Sequence, residues 1–123
     1  MWYIYVIVGV LILISGISKA IMDKISYHYD KSIFKKLGPF WNPEESWKFK
    51  YKNNDPDQGE RFLGSTTIFV SLTDAWHLFN LIRNFCLVSA IAVASMNFYF
   101  LIGYLIFIGT FHLFFEYAFK SKE

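Results

Sequence analysis

The stretch WYIYVIVGVLILISGIS, residues 2–18, decides the fold of this chain. It contains no charged residue, and Lys19 is followed by three further apolar residues. About twenty such residues, each rising about 1.5 Å in a helix, cover the roughly 30 Å of a bilayer's hydrocarbon core. No Lys or Arg precedes the stretch, whereas a secretory signal begins with a positively charged segment. We therefore predict a retained transmembrane helix over residues 2–22.

The composition of the whole chain agrees with a membrane protein. The 123 residues are 54% hydrophobic and 21% aromatic, and only 18% are charged, against about 25% in soluble domains. The net charge of +2 is too small to indicate a nucleic-acid partner. The single cysteine, Cys86, lies in an apolar run and is predicted to be a buried thiol. We expect a single-domain, all-α integral membrane protein.

The basic residues predict the orientation of the chain. All of them follow the first apolar stretch. The positive-inside rule then places the N-terminus outside, and residues 23–64 and the basic C-terminus in the cytoplasm. Apolar residues at helical spacing also predict that the first helix continues as an amphipathic extension towards Gly38 and Pro39.

The cytoplasmic loop contains a short alternating pattern. Trp47, Phe49 and Tyr51 are interleaved with three lysines, which predicts a short strand or extended stretch. The lysines are candidates for contact with anionic lipid headgroups, the alternative being an ordinary interfacial loop. These candidates are Lys48, Lys50 and Lys52. Residues 53–56, with the sequence NNDP, predict a turn.

The C-terminal half predicts two further spans. No Gly or Pro interrupts residues 66–95, Ser95, Met96 and Asn97 offer a tight turn, and residues 98–119 are again apolar. The residues after Gly64 can cap the second helix. Thirty residues would make about 45 Å of helix, so that helix would have to tilt or protrude. We therefore predict three transmembrane helices. The alternative is a four-helix arrangement in which residues 66–82 lie in the membrane plane.

Ionisable residues within the predicted spans are candidates for function, because charge is costly in a bilayer. Asp74 and His77 share one helix face, as do His112 and Glu116. At about 1.5 Å per residue, His77 lies about 29 Å and His112 about 24 Å below the Met96 turn. The extended first helix would bring His28 to the same level. We predict that these five residues converge near the cytoplasmic face.

Such a cluster is compatible with several chemistries. Imidazoles and carboxylates are ligands for zinc or iron, and a metal with an open position would activate water against a lipid ester, amide or phosphate. Haem ligation by His77 and His112, a proton relay, and a purely structural polar cluster are the alternatives. The leading hypothesis is a membrane-embedded protein with a functional polar site at the cytoplasmic end. If it is an enzyme, we expect metal-dependent hydrolysis or transfer on a lipid-like substrate. The competing hypothesis is a non-enzymatic accessory or structural subunit. Expected partners are membrane lipids and either other membrane subunits or further copies of this chain.

Overall fold

The computed structural model describes residues 1–115, and this part of the chain is largely helical. Residues 1–115 contain four α-helices, which are joined by turns and short 3-10 segments. The helices are α1, Trp2–Tyr27; α2, Pro43–Ser46; α3, Ala75–Ser95; and α4, Tyr99–Leu113. Residues 1–115 contain no β-strand, and one isolated bridge joins Tyr51 to Glu60.

Two of these helices, α1 and α3, are long and apolar enough to cross a membrane. Their 26 and 21 residues correspond to about 39 and 31 Å of helix. Only 11% of the most apolar part of α1 and 17% of that of α3 are buried. Core helices of soluble domains are mostly buried, so the exposed apolar surface favours lipid or protein contact outside the chain.

The helices α1 and α3 form the main packed pair. The buried residues of α1 follow the helical spacing 15, 18, 22 and 25 and begin with Ser15 and Ser18. The buried residues of α3 are all small: Ala75, Cys86, Ala90 and Ala92. Small residues let two helix backbones approach closely, as they do in membrane helix pairs. The Ser15 hydroxyl donates a hydrogen bond across this interface to the Arg83 carbonyl, at 3.1 Å.

The prediction that the second span begins at residue 66 is wrong. The helix α3 begins at Ala75, because the Asp74 side chain caps it by accepting a hydrogen bond from the His77 backbone N–H at 2.8 Å. Before the cap, the Thr73 hydroxyl donates to the Val70 carbonyl at 2.7 Å. Hydroxyl groups that bond locally in this way compete with helix formation. The shorter helix is about 31 Å long, close to the thickness of a bilayer's hydrocarbon core.

The turn after α3 lies where the sequence predicts it. Met96 adopts a left-handed conformation with a φ of 54°, and its backbone N–H bonds back to the last turn of α3. The helix α4 then runs to Leu113, so the end of the predicted third span at residue 119 lies outside the described residues. No residue of α4 is buried. Its half-buried residues, Leu101, Tyr104, Ile108 and His112, lie on the one face that approaches α3.

Two other predictions about the loop are wrong. The helix α1 ends at Tyr27 rather than continuing to Gly38, and short 3-10 segments follow it. Residues 47–50 form turns rather than a strand, because Tyr51 has only the single bridge as a partner. The predicted turn at residues 53–56 is present, with positive φ angles at Asn53 and Asn54.

The loop folds back onto α3 through aromatic rings. Phe34 stacks on Trp41 with 5.0 Å between ring centroids, and Trp41 lies 5.6 Å from the ring of Phe79 in α3. These contacts place the polar loop over the end of α3 that carries Asp74 and His77.

Candidate functional site

A cavity of about 550 Å³ lies between α3, α4 and the loop. Its size falls in the range of small-molecule sites, which are mostly apolar with a few convergent polar groups. We call it the α3–α4 cavity. It is lined by Trp76, His77, Asn80, Arg83 and Asn84 of α3, by Tyr104, Phe107, Ile108, Phe111 and His112 of α4, and by Lys50, Thr66, Thr67, Ile68, Val70 and Ser71 of the loop.

At the loop end of the cavity, His77 is held by Asp74. The Asp74 carboxylate lies 2.7 Å from Nδ1 of His77, and Asp74 is only 3% exposed. If a neutral His77 ring donates its Nδ1–H to this carboxylate, Nε2 is left as the basic nitrogen of the ring. The His77 ring, a third exposed, lines the cavity. The pair has the geometry of a base whose tautomer is set by a buried carboxylate.

The same contacts also have a purely structural interpretation. Asp74 is the N-cap of α3 and His77 is the third residue of the helix. The Asp74 carboxylate accepts a hydrogen bond from the His77 backbone N–H, which would otherwise have no partner within the helix. The Asp74–His77 pair therefore stabilises the start of α3 whether or not His77 also performs chemistry.

Further along α3, Arg83 is held between two asparagines. Its guanidinium donates to the side-chain oxygen of Asn80 at 2.9 Å and to that of Asn84 at 3.2 Å. Tyr104 of α4 lines the same cavity. These polar groups of α3 therefore share the cavity with the phenol of Tyr104.

The structure brings together part of the predicted cluster. His77 and His112 line the same cavity, while Asp74 lies behind His77. His28 is exposed at the end of α1 and does not line the cavity. Glu116 lies outside the described residues. Within residues 1–115, no group of three or more His, Cys, Asp or Glu side chains could hold a metal ion.

Of the three candidate lysines, only Lys50 reaches the cavity. Lys48 and Lys52 are exposed, and the Lys48 ammonium lies 5.4 Å from the ring centroid of Trp47. The alternation predicted from the sequence therefore does not place the three lysines on one surface. The reason is that the chain turns within residues 47–50 instead of extending.

The loop edge of the cavity is held by Glu60. Its carboxylate accepts hydrogen bonds from the Thr66 hydroxyl at 2.6 Å and from the Gly64 N–H at 3.1 Å. These bonds, first the one from Thr66, lower the pKa of Glu60 below its usual value of 4.5. We call residues 64–71 the rim segment, since several of them line the cavity.

Sequence reasoning did not single out Tyr104 or the rim segment. Tyr104, Ile108 and His112 follow one another at intervals of four residues, so they share one face of α4. That spacing, together with a phenol in an apolar run, was the signal available for Tyr104. The rim segment had no such signal, because its position depends on the backbone turn at Gly64.

Comparisons with protein-family models, with curated proteins and with solved structures gave no match for this chain.

Proposed function

We propose that this chain is an integral membrane protein that hydrolyses a lipid-like substrate in the α3–α4 cavity, with His77 as the general base. The observation that carries the proposal is the position of His77. Its ring lines an apolar cavity while a buried carboxylate holds Nδ1. A general base needs a defined tautomer and access to the reacting proton.

The membrane setting is part of the proposal. Both α1 and α3 have the length and apolarity of transmembrane helices, and the surface of α4 is almost wholly apolar. We place the N-terminus outside and the loop and the C-terminus in the cytoplasm, from the distribution of the lysines. The α3–α4 cavity then lies towards the cytoplasmic side, where a lipid can enter between the helices.

The proposed reaction uses water as the nucleophile. Nε2 of His77 takes one proton from water, and the resulting hydroxide attacks the carbonyl carbon of a lipid ester. The ester C–O bond then breaks, and the imidazolium returns its proton to the departing alkoxide. Asp74 remains ionised throughout and stabilises the imidazolium through Nδ1. The products are a carboxylic acid and an alcohol, so the atoms balance without a co-reactant.

The test compares three variants of the Asp74–His77 pair on a neutral fluorogenic ester of a long-chain fatty acid. His77→Gln should lower kcat by about two to four orders of magnitude, the usual contribution of a general base. Asp74→Asn keeps a capping side chain and removes the carboxylate, so kcat should fall while the unfolding temperature stays near wild type. Asp74→Ala should also cost about 1 kcal/mol of stability, because the cap is lost.

The outcomes separate the two interpretations of the pair. If Asp74→Asn and His77→Gln both turn over the ester at the wild-type rate, the pair is only a helix cap and the proposal is wrong. Metal dependence is tested on the same protein by chelation and by metal analysis. Zinc or iron at one equivalent, lost in both His77→Ala and His112→Ala, would show that the two histidines share a metal.

The apolar surface of α4 supports a second candidate function, that of an accessory subunit. No residue of α4 is buried, and large side chains such as Phe107 and Phe111 are more than half exposed. A helix that is apolar on all sides requires lipid or protein around it. A wild-type protein with no esterase activity that purifies in a stoichiometric complex with another membrane protein would favour this function.

A further inference from the structure

Arg83 is a half-buried cation in the middle of α3, and its hydrogen bonds are to neutral groups. It forms no ion pair with any carboxylate of residues 1–115, and Asn80 and Asn84 are its side-chain partners there. A charged residue within an apolar helix is expensive, and such residues mark binding sites or ion pathways. The arrangement therefore lacks an anion within the described chain.

The two asparagines orient the guanidinium without neutralising it. A guanidinium has five N–H donors, and Nε and one Nη2 donor are used, so three remain (five minus two). Such a planar fork matches the oxygens of a carboxylate or phosphate and binds them in a bidentate manner. Because Arg83 lines the cavity, the remaining donors are within reach of a molecule inside it.

We propose that the α3–α4 cavity binds an amphiphile whose anionic head group, a carboxylate or a phosphate, is held by Arg83. The apolar chain of the ligand then lies against Phe107, Ile108 and Phe111 of α4, which line the same cavity. The inference rests on the site proposed above for a lipid-like substrate, and it does not depend on hydrolysis by His77.

A second cation supports an anionic ligand. Lys50 of the loop lines the cavity, and its ammonium lies 5.5 Å from the ring centroid of Tyr51. Lys50 and Arg83 are thus two positively charged residues in the lining of one cavity, and apolar walls strengthen the attraction of a cation for an anion. The cavity thus has polar, positively charged surface from α3 and the loop, and aromatic surface from α4.

The test measures ligand binding through Trp76, which lines the cavity. The purified protein in nanodiscs of phosphatidylcholine is titrated with a brominated long-chain fatty acid, which quenches tryptophan on contact. We expect saturable quenching that is absent in Trp76→Phe. Arg83→Gln should weaken this binding by about ten- to a hundredfold, the usual effect of losing a charge-assisted hydrogen bond.

Three controls accompany these binding measurements. Lys52→Gln removes the same charge from an exposed site outside the cavity and should leave binding unchanged. The brominated alcohol of equal chain length should bind Arg83→Gln and wild type equally weakly. Inorganic phosphate alone should displace the fatty acid only at far higher concentration, because it lacks the apolar chain.

Several results would overturn the inference. Equal affinity of wild type and Arg83→Gln, or equal affinity for acid and alcohol, would show that Arg83 does not hold the head group. Displacement by inorganic phosphate at the affinity of the fatty acid would make a soluble anion the ligand.

Hydrolysis is measured on the same samples to keep the two proposals apart. If His77→Gln loses esterase activity but binds the fatty acid normally, both proposals stand. If wild type binds the fatty acid but hydrolyses no ester, only the hydrolytic function fails. If Arg83→Gln retains both affinity and activity, only the anion inference fails.

Discussion

The helix α3 has two neighbours, and they pack against it in different ways. Towards α1, the packing is close, and a hydrogen bond joins the Ser15 hydroxyl to the Arg83 carbonyl. Towards α4, the contacts are fewer and a cavity of about 550 Å³ separates the helices. The polar side chains His77, Arg83 and Asn84 line this open side. The difference shows that α3 is closely packed on one side and borders a cavity lined by polar groups on the other.

The structure on the side of α3 that faces α4 depends on backbone geometry and hydrogen bonds. On the side that faces α1, it depends on close packing of side chains. The rim segment is positioned by the turn at Gly64 and by the bonds to Glu60. Substitutions on the two sides should therefore have effects of different size and cause.

The largest effect is expected from Ser18→Leu on the packed side. Ser18 is 2% exposed, so the larger side chain has no space and should lower the free energy of unfolding by about 2–3 kcal/mol. The matched change on the open side is Ile108→Phe, which adds volume next to the cavity and should leave stability nearly unchanged. Thermal unfolding in detergent measures both. Equal losses of unfolding free energy in the two variants would show that the two sides of α3 are packed equally closely.

A smaller effect is expected from Gly64→Ala. Gly64 has a φ of +82°, and an added Cβ would lie 2.9 Å from Cδ2 of Phe69. The left-handed conformation alone costs a non-glycine residue about 1–2 kcal/mol. Gly59→Ala, with a φ of +77° and no atom within 4 Å, is the control for a positive φ without a close contact. Faster proteolysis of the rim segment in Gly64→Ala than in Gly59→Ala would show that the Phe69 contact matters as well.

The smallest effect concerns Glu60, whose pKa is lowered mainly by the Thr66 hydroxyl. A lowered folded-state pKa means that the carboxylate stabilises the loop at neutral pH. This stabilisation declines as the pH falls below about 4.5 and is lost below the lowered folded-state pKa. Glu60→Gln should lower the resistance of the loop to proteolysis at neutral pH. The same substitution should also reduce the change of that resistance as the pH falls. Thr66→Val removes the main hydrogen-bond donor to Glu60 and should change the resistance to proteolysis in the same direction. If the pH dependence of proteolysis is unchanged in both variants, Glu60 does not stabilise the loop.

Several features of this chain were determined by the sequence alone. The apolar run of residues 2–18 predicts a helix because its length and lack of charge leave no other way to satisfy the backbone in lipid. The turn around Met96 follows from the change of composition between two apolar runs. Counting residues from that turn put His77 and His112 at similar depth, and the structure has both on one cavity.

Other features were decided only by the tertiary structure. The start of α3 at Ala75 depends on whether Asp74 or an earlier hydroxyl residue caps the helix, and local preference does not separate them. His28 lies away from the cavity because α1 ends at Tyr27 and the chain turns there. The surroundings of the Arg83 side chain, and the cavity itself, depend on the distance between α3 and α4. That distance is a property of packing between distant segments, which residue spacing within one helix does not specify.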